Sequence, residues 1–390
     1  MQLRIVLWLS CWLLAPTNLD GQDYHNYGIF RFFSLHYSTG WHIYTGTDSS
    51  DGIMGRYNSF ELKAGWQSKR SQEWAREVNH PSYGFGLYYG LIGDKQVFGR
   101  PSALFGFIAF PVTRERRLNF QLEPAAGIAF NLKPYDSSTN KNNLAYGARF
   151  AFYFALQAEA KYYLNRKTDL LFGLNIHHIS NGRAVQPNLG LNMVGLRVGA
   201  SYHFNGMQKK MNRSTKDTVT LPVRPCNGLA APVRRVKEHN ISIYQAFGMV
   251  QNRTNIESNT RYLTSSSVLE FQHKFNSMHG VSAGFDAFLD YGMRDTAEYH
   301  APEPAGVFFP GIHAGYDLMF WRLSARFQVG YHTSAAGREL KGALFFRPNI
   351  RFDFNDRLFA QIGLKTRNGG RADWIETGLG YKIWRQRKPS

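Results

Sequence analysis

A histidine and a serine two residues apart, His178 and Ser180, stand at the end of an alternating apolar segment, LFGLNIHHIS over 171–180. Alternate side chains of a strand share a face, so Phe172, Leu174, Ile176, His178 and Ser180 line one side. Gly173, Asn175, His177 and Ile179 line the other. An imidazole beside a hydroxyl is the minimum for a base-activated nucleophile. Asn181 follows directly and offers an amide donor for an oxyanion. A His-x-Ser at a strand end is equally a hydrogen-bonded terminus with no chemistry, and spacing alone does not separate the two readings. The face carrying the pair is the apolar one: core in a soluble sandwich, lipid-facing in a membrane barrel.

The segment continues through Pro187-Asn188 and Gly190 to a closing strand that ends in Tyr202-His203-Phe204. With His178-Ile179-Ser180-Asn181, this resembles the signature of the PagL-like lipid A 3-O-deacylases, eight-stranded outer-membrane barrels that remove an ester-linked acyl chain from lipid A. The resemblance implies His178 as general base, Ser180 as nucleophile, and Asn181 with the backbone near Gly182 as the oxyanion site. The family's acidic residue falls twelve positions after the serine, where this chain has Asn192. An amide there can hold the imidazole tautomer but cannot stabilise imidazolium by charge. The chain also reads Ser-Asn-Gly-Arg, placing Gly182 one residue earlier than the family glycine. The resemblance is specific over 168–204 and architectural beyond 240.

The elements that must position these residues are strands. The 390 residues include 30 Phe and 21 Tyr, yet the mean hydropathy is −0.37. Beyond the N-terminus no apolar run reaches the ~18 residues of a spanning helix. Aromatic-rich alternating segments without such runs predict an all-β, transmembrane antiparallel barrel. Eight candidate strands lie near 29–44, 57–67, 81–92, 98–112, 117–131, 146–162, 168–180 and 192–204. Eight more lie near 240–252, 260–275, 279–292, 305–319, 321–333, 339–354, 357–367 and 372–384. The sixth sets Phe150, Phe152, Phe154 and Leu156 on one face and Tyr153, Gln157, Glu159 and Lys161 on the other. Two tandem eight-stranded barrels and one sixteen-stranded barrel both fit the count, with the long polar segment between the halves favouring the tandem arrangement.

The predicted organisation is a signal peptide over 1–21, a deacylase-like barrel over 22–205, a linker over 206–239 and a second barrel-like repeat over 240–390. Arg4, the apolar core Ile5–Pro16 and Gly21 give the leader its form. Its removal takes Cys11 and leaves Cys226 alone, so no intramolecular disulfide is expected. Asn368-Gly369-Gly370-Arg371-Ala372 echoes Ser180 to Ala184 and suggests an internal duplication. Aligning Asn368 with Asn181 sets Lys365 and Arg367 at the His178 and Ser180 positions and makes the second copy catalytically empty. His332-Thr333-Ser334 lacks the following Asn and reads as a strand end.

Lys plus Arg number 46 against 28 Asp plus Glu, a formal charge of +18. With a leader and barrel patterning, the anionic partner expected is lipopolysaccharide rather than nucleic acid, with Arg183 and Arg197 as candidates for lipid A phosphates. His177 and His178 point to opposite faces, no metal motif is present, and no cofactor is expected. The function expected is an outer-membrane serine esterase acting on lipid A, in contact with membrane lipid and with a second copy of the chain as a further partner. The rivals are a non-catalytic barrel, porin-like or lipopolysaccharide-binding, and a secreted carbohydrate-binding sandwich.

Overall fold

The computed structural model describes residues 31–43, 55–68, 73–113, 118–165, 167–204, 237–251, 260–293, 307–368 and 371–388. The leader, the loop before residue 55 and most of the expected linker, with Cys226, lie outside the described residues. Sixteen strands occur among the described residues. The first eight are β1 (Arg31–Ile43), β2 (Arg56–Gln67), β3 (Ser82–Ile92), β4 (Gly99–Pro111), β5 (Leu118–Leu132), β6 (Ala151–Tyr163), β7 (Thr168–Ser180) and β8 (Leu191–His203). They pair in order and β8 returns to β1, closing a barrel. The second eight are β9 (Lys237–Gln251), β10 (Arg261–Lys274), β11 (His279–Asp290), β12 (Phe308–Phe320), β13 (Leu323–His332), β14 (Leu344–Asp353), β15 (Leu358–Arg367) and β16 (Arg371–Lys388). They close a second barrel through β16 and β9. The architecture is therefore two eight-stranded barrels, not one of sixteen.

The period-two pattern has the physical consequence expected of it. In β7, Phe172, Leu174 and Ile176 are about half exposed on the outer wall, whereas Asn175 and His177 are buried inside. Eight strands leave a lumen that side chains fill, and here an aromatic cluster that includes Tyr88, Phe105 and Tyr153 shares that space with buried charges. Lys63 Nζ contacts Glu61 at 3.3 Å, Gln157 at 2.9 Å and Glu123. Arg197 reaches Glu61 at 3.2 Å and Glu159 at 2.9 Å. The second lumen repeats the device, with Arg326 on Glu270 and Asp317, both at 2.8 Å, and Arg347 on Asp286 at 2.8 Å. Buried charges persist only when paired and hydrogen-bonded, which explains why each cation meets at least one carboxylate.

Two segments depart from the sequence expectation. Residues 146–150 do not extend β6; Tyr146 instead turns inward and its hydroxyl donates to the Phe98 carbonyl at 2.6 Å. Residues 339–341 belong to a short helix, Ala335–Lys341, whose N-cap Ser334 accepts from the Gly337 N–H at 3.0 Å. His332 closes β13 as a buried strand end. The outward positions near the end of β15 are Leu364 and Thr366, since Lys365 is fully buried with Asp373. The alignment placing Lys365 and Arg367 opposite His178 and Ser180 therefore fails by one residue, because a one-residue slip inverts every face.

Replacing Lys63 with methionine would leave Glu61 and Glu123 short of a buried counter-charge. Removing one partner of a buried pair costs about 3–5 kcal/mol. Lys63→Met should lose the folded, heat-modifiable gel band at a lower temperature than wild type; an unchanged transition would contradict the lumenal network as a source of stability.

Candidate functional site

Strand β7 ends at one rim, called here the upper rim, and delivers His178 and Ser180 onto the outer wall. Backbone pairing sets His178 opposite Asn192 of β8 on one side and Phe154 of β6 on the other. The parity of β8 gives Asn192 the same outward face as His178, and the side chains meet: His178 Nδ1 lies 2.7 Å from Asn192 Oδ1. With the amide oxygen as acceptor, Nδ1 carries the proton and Nε2 keeps its lone pair. The imidazole is thereby oriented as a base.

Ser180 sits one pleat above, about 6.6 Å along the strand by the ordinary rise. Ser180 is 93% buried, and no His178–Ser180 hydrogen bond is formed in this resting geometry. Such contacts commonly tighten only when substrate arrives. Two N–H groups converge on Ser180 Oγ instead: Asn188 Nδ2 at 2.9 Å and the Gly182 backbone N–H at 3.2 Å. The amide of Asn188 has a fixed orientation because its Oδ1 accepts the Asn181 N–H at 2.9 Å. The serine hydroxyl also reaches that oxygen, at 3.3 Å.

Asn181 itself is turned away. Its Nδ2 donates to the Val185 carbonyl at 2.9 Å and its Oδ1 accepts from the Val185 N–H at 3.4 Å. The expected side-chain oxyanion donor is thus committed to closing the loop, and Asn188 takes its place beside the serine. Gly182 does supply a backbone donor. Asn188 belonged to the sequence motif, but a residue eight positions on and across a loop has no periodicity relation to Ser180, so its role was not readable.

The loop is built around glycine at two points. Gly190 has φ +78°, and a Cβ there would come within 2.8 Å of His178 Cε1. Gly182 has φ +63°, and a Cβ would run into Ile375 of β16. The neighbouring loop pins the far side: Leu189 N–H donates to the Leu144 carbonyl at 3.1 Å and Gly190 N–H to the Ala145 carbonyl at 2.9 Å.

The two arginines expected to meet substrate phosphate do not face outward. Arg197 lies in the lumen with Glu61 and Glu159. Arg183 is 96% buried against Asp290 and Asp373. Burial works against its charge, but the two carboxylates outweigh that and hold the guanidinium above its usual range. Glu159 and Glu123, the carboxylates of the neighbouring strands, lie in the lumen with Arg197 and Lys63, on the opposite face of the wall from His178. Among the described residues no group of three potential metal ligands is present.

Two family models match the chain. One, lipid A 3-O-deacylase (PagL), covers residues 60–201, and the other, acyloxyacyl hydrolase, C-terminal domain, covers 239–386. Among solved structures, Neisserial surface protein A is similar at TM-score 0.31 and 10% identity, over 45% of this chain and 97% of that one. The outer membrane enzyme PagL is similar at TM-score 0.31 and 15% identity, over 43% of this chain and 97% of that one. A Rhodopseudomonas blastica porin variant spans 92% of this chain and all of its own at TM-score 0.21 and 9% identity. No curated protein sequence matches the chain.

Gly190→Ala is expected to cost about 1–2 kcal/mol for a left-handed alanine and to push the imidazole off Asn192. The His178 Nδ1–H resonance should then exchange faster in NMR spectra of the micelle-bound protein; an unaltered resonance would show that the glycine does not gate the ring.

Proposed function

The chain belongs to the lipid A 3-O-deacylase (PagL) family of outer-membrane ester hydrolases, and we propose that its deacylation of lipid A runs through Ser180 as nucleophile and His178 as general base. The observation that carries this reading is the pair of N–H groups, from Gly182 and Asn188, already aimed at the serine oxygen. Donors fixed before the reaction are worth most where water is excluded.

The proposed steps are as follows. His178 Nε2 takes the Ser180 hydroxyl proton as Oγ attacks the ester carbonyl. The tetrahedral oxyanion accepts hydrogen bonds from the Gly182 N–H and the Asn188 amide. Collapse breaks the ester C–O bond, and His178 returns the proton to the departing sugar oxygen. Water, deprotonated by the same imidazole, then attacks the acyl-serine; the fatty acid leaves and Ser180 regains its proton. Asn192 holds the tautomer throughout.

The location suits the substrate. Leu174, Ile176 and Leu196, all more than half exposed on the wall below the site, present an apolar surface suited to bilayer hydrocarbon. A lipid already in the outer leaflet then reaches Ser180 laterally, with no passage through the filled lumen. Export by a leader over residues 1–21 is part of the same reading. At the corresponding place in the second barrel, Leu364 and Thr366 offer no base, so residues 240–390 are read as catalytically empty.

Mass spectrometry of lipid A incubated with detergent-purified protein tests the assignment. Wild type should remove one ester-linked acyl chain, and Ser180→Ala and His178→Ala should lose the activity by roughly 10³-fold or more. Cleavage that survives Ser180→Ala would place the nucleophile elsewhere. Asn192→Leu should drop kcat by about 10²–10⁴-fold through loss of the tautomer, while Asn192→Asp should keep or raise it. Equal activity in the leucine variant would rule out Asn192 as the orienting group.

A further inference from the structure

The catalytic loop is tied to the second barrel at several points. Gly182 lies against Ile375 with no room for a side chain. Arg183, held at φ +71°, passes its guanidinium into the upper mouth of the second barrel. There Nη2 meets Asp290 at 2.9 Å and Nη1 meets Asp373 at 3.2 Å, both carboxylates being fully buried. Lys341 contacts the same two carboxylates, and Lys365 reaches Asp373 at 2.9 Å. The backbone is held as well: the Gln251 N–H donates to the Arg183 carbonyl at 3.1 Å, and the Gln186 N–H donates to Gln251 Oε1 at 2.5 Å. Asp290 ends β11, Asp373 opens β16 and Gln251 ends β9, so three strands of the second barrel share the grip.

We infer that the second barrel is a fixed mount for the oxyanion loop, with Arg183 as its positioning residue. One peptide separates the anchored Arg183 from the Gly182 N–H that bonds Ser180 Oγ. The Ala184 N–H closes a tight turn onto the Asn181 carbonyl at 3.2 Å, so the segment moves as a unit. A guanidinium bridging two buried carboxylates has a defined direction, which a point charge on a flexible stem does not supply. On the first-barrel side the loop backbone is held at its far end, where the 189 and 190 N–H groups donate to the Leu144 and Ala145 carbonyls. Without the mount, the donor beside Ser180 is free to drift, and a misplacement of about 1 Å costs on the order of 100-fold in rate. This explains why a second barrel without a base of its own accompanies the first. It also explains why the arginine following the Ser-Asn-Gly run is buried rather than offered to substrate.

The inference rests on the serine mechanism above for its kinetic effect but not for its structural one. The experiment uses the full chain, with Arg183→Ala, Arg183→Lys and Gln251→Ala, each checked for folded heat-modifiable migration. Two readouts are taken: lipid A deacylation kinetics, and hydrogen–deuterium exchange of peptides covering 181–188. Arg183→Ala should lower kcat about 10–100-fold with KM within about twofold, and should speed exchange across the loop. Arg183→Lys should recover part of both losses, and Gln251→Ala, which leaves the lumenal carboxylates paired, should show a smaller version of each. Folded Arg183→Ala with wild-type kcat, or with unchanged loop exchange, overturns the inference. If Arg183→Ala does not fold, Gln251→Ala decides by the same two criteria. Wild-type activity retained in Ser180→Ala would instead remove the serine mechanism, while the exchange data would still report whether the second barrel holds the loop.

Discussion

Closure of each sheet on itself is the constraint from which the remaining features follow. A strand wall surrounded by hydrocarbon has no solvent for an unpaired backbone group, so every edge must find a partner. With β8 paired to β1 and β16 to β9, none is left over. Closure in turn forces one face of every strand inward, and eight strands leave a space only side chains can fill. In both barrels that filling includes an ionic network beside buried aromatic rings: Lys63 and Arg197 with Glu61, Glu123 and Glu159 in the first, Arg326, Arg347 and Arg351 with Glu270, Asp286 and Asp317 in the second. Such filled lumens offer no wide channel, which is why the chemistry has to be sought on the outer wall.

The outer wall is an unusual place for a polar constellation, and its position at the rim resolves the difficulty. Below His178 the outward residues Leu170, Phe172, Leu174 and Ile176 are apolar; His178 and Ser180 are the last two outward positions before the strand ends. At that height the loop 181–190 folds over the serine and supplies its N–H donors from a short stretch of backbone and one amide. Phe154 flanks His178 across the strand pair and continues the apolar surface up to the reacting groups. An ester whose acyl chain lies along the wall and whose sugar lies above the rim would present its carbonyl at this boundary.

Period-two alternation made the fold readable: it located the strands to within a few residues and placed His178 and Ser180 on one face. Applied to β8 the same rule sets Arg197 opposite in face to Asn192, inward with Glu61 and Glu159, which is why it is not offered to a phosphate. What alternation does not encode is contact between segments without a shared period. Asn188, Tyr146 and Arg183 act across loops, and their partners, Ser180, the Phe98 carbonyl and Asp290, are set by how those loops close. The repeat near Asn368 misled for a related reason. Lys365, which that repeat sets at the His178 position, lies on the inward face with Asp373, so similarity of residue type did not carry similarity of face.

Asn192 in place of a carboxylate can be weighed by the same physics. A carboxylate on the outward face near hydrocarbon carries a desolvation penalty that an amide largely avoids, provided its hydrogen bonds are made. The amide meets that condition through His178 Nδ1, and so preserves the part of the acid's task that is geometric. The electrostatic part, stabilising imidazolium as the serine proton arrives, is lost. On the proposed mechanism, imidazolium forms only while the substrate oxygen becomes negative, and the loop keeps two N–H donors on Ser180 Oγ, next to where that charge would develop. Favouring the oxyanion lowers the same transition state that a carboxylate would lower from the other end. On the proposed mechanism a site that relies on its oxyanion donors gains most from holding them rigidly, which is the part we assign to the Arg183 anchorage on Asp290 and Asp373, one peptide from the Gly182 N–H.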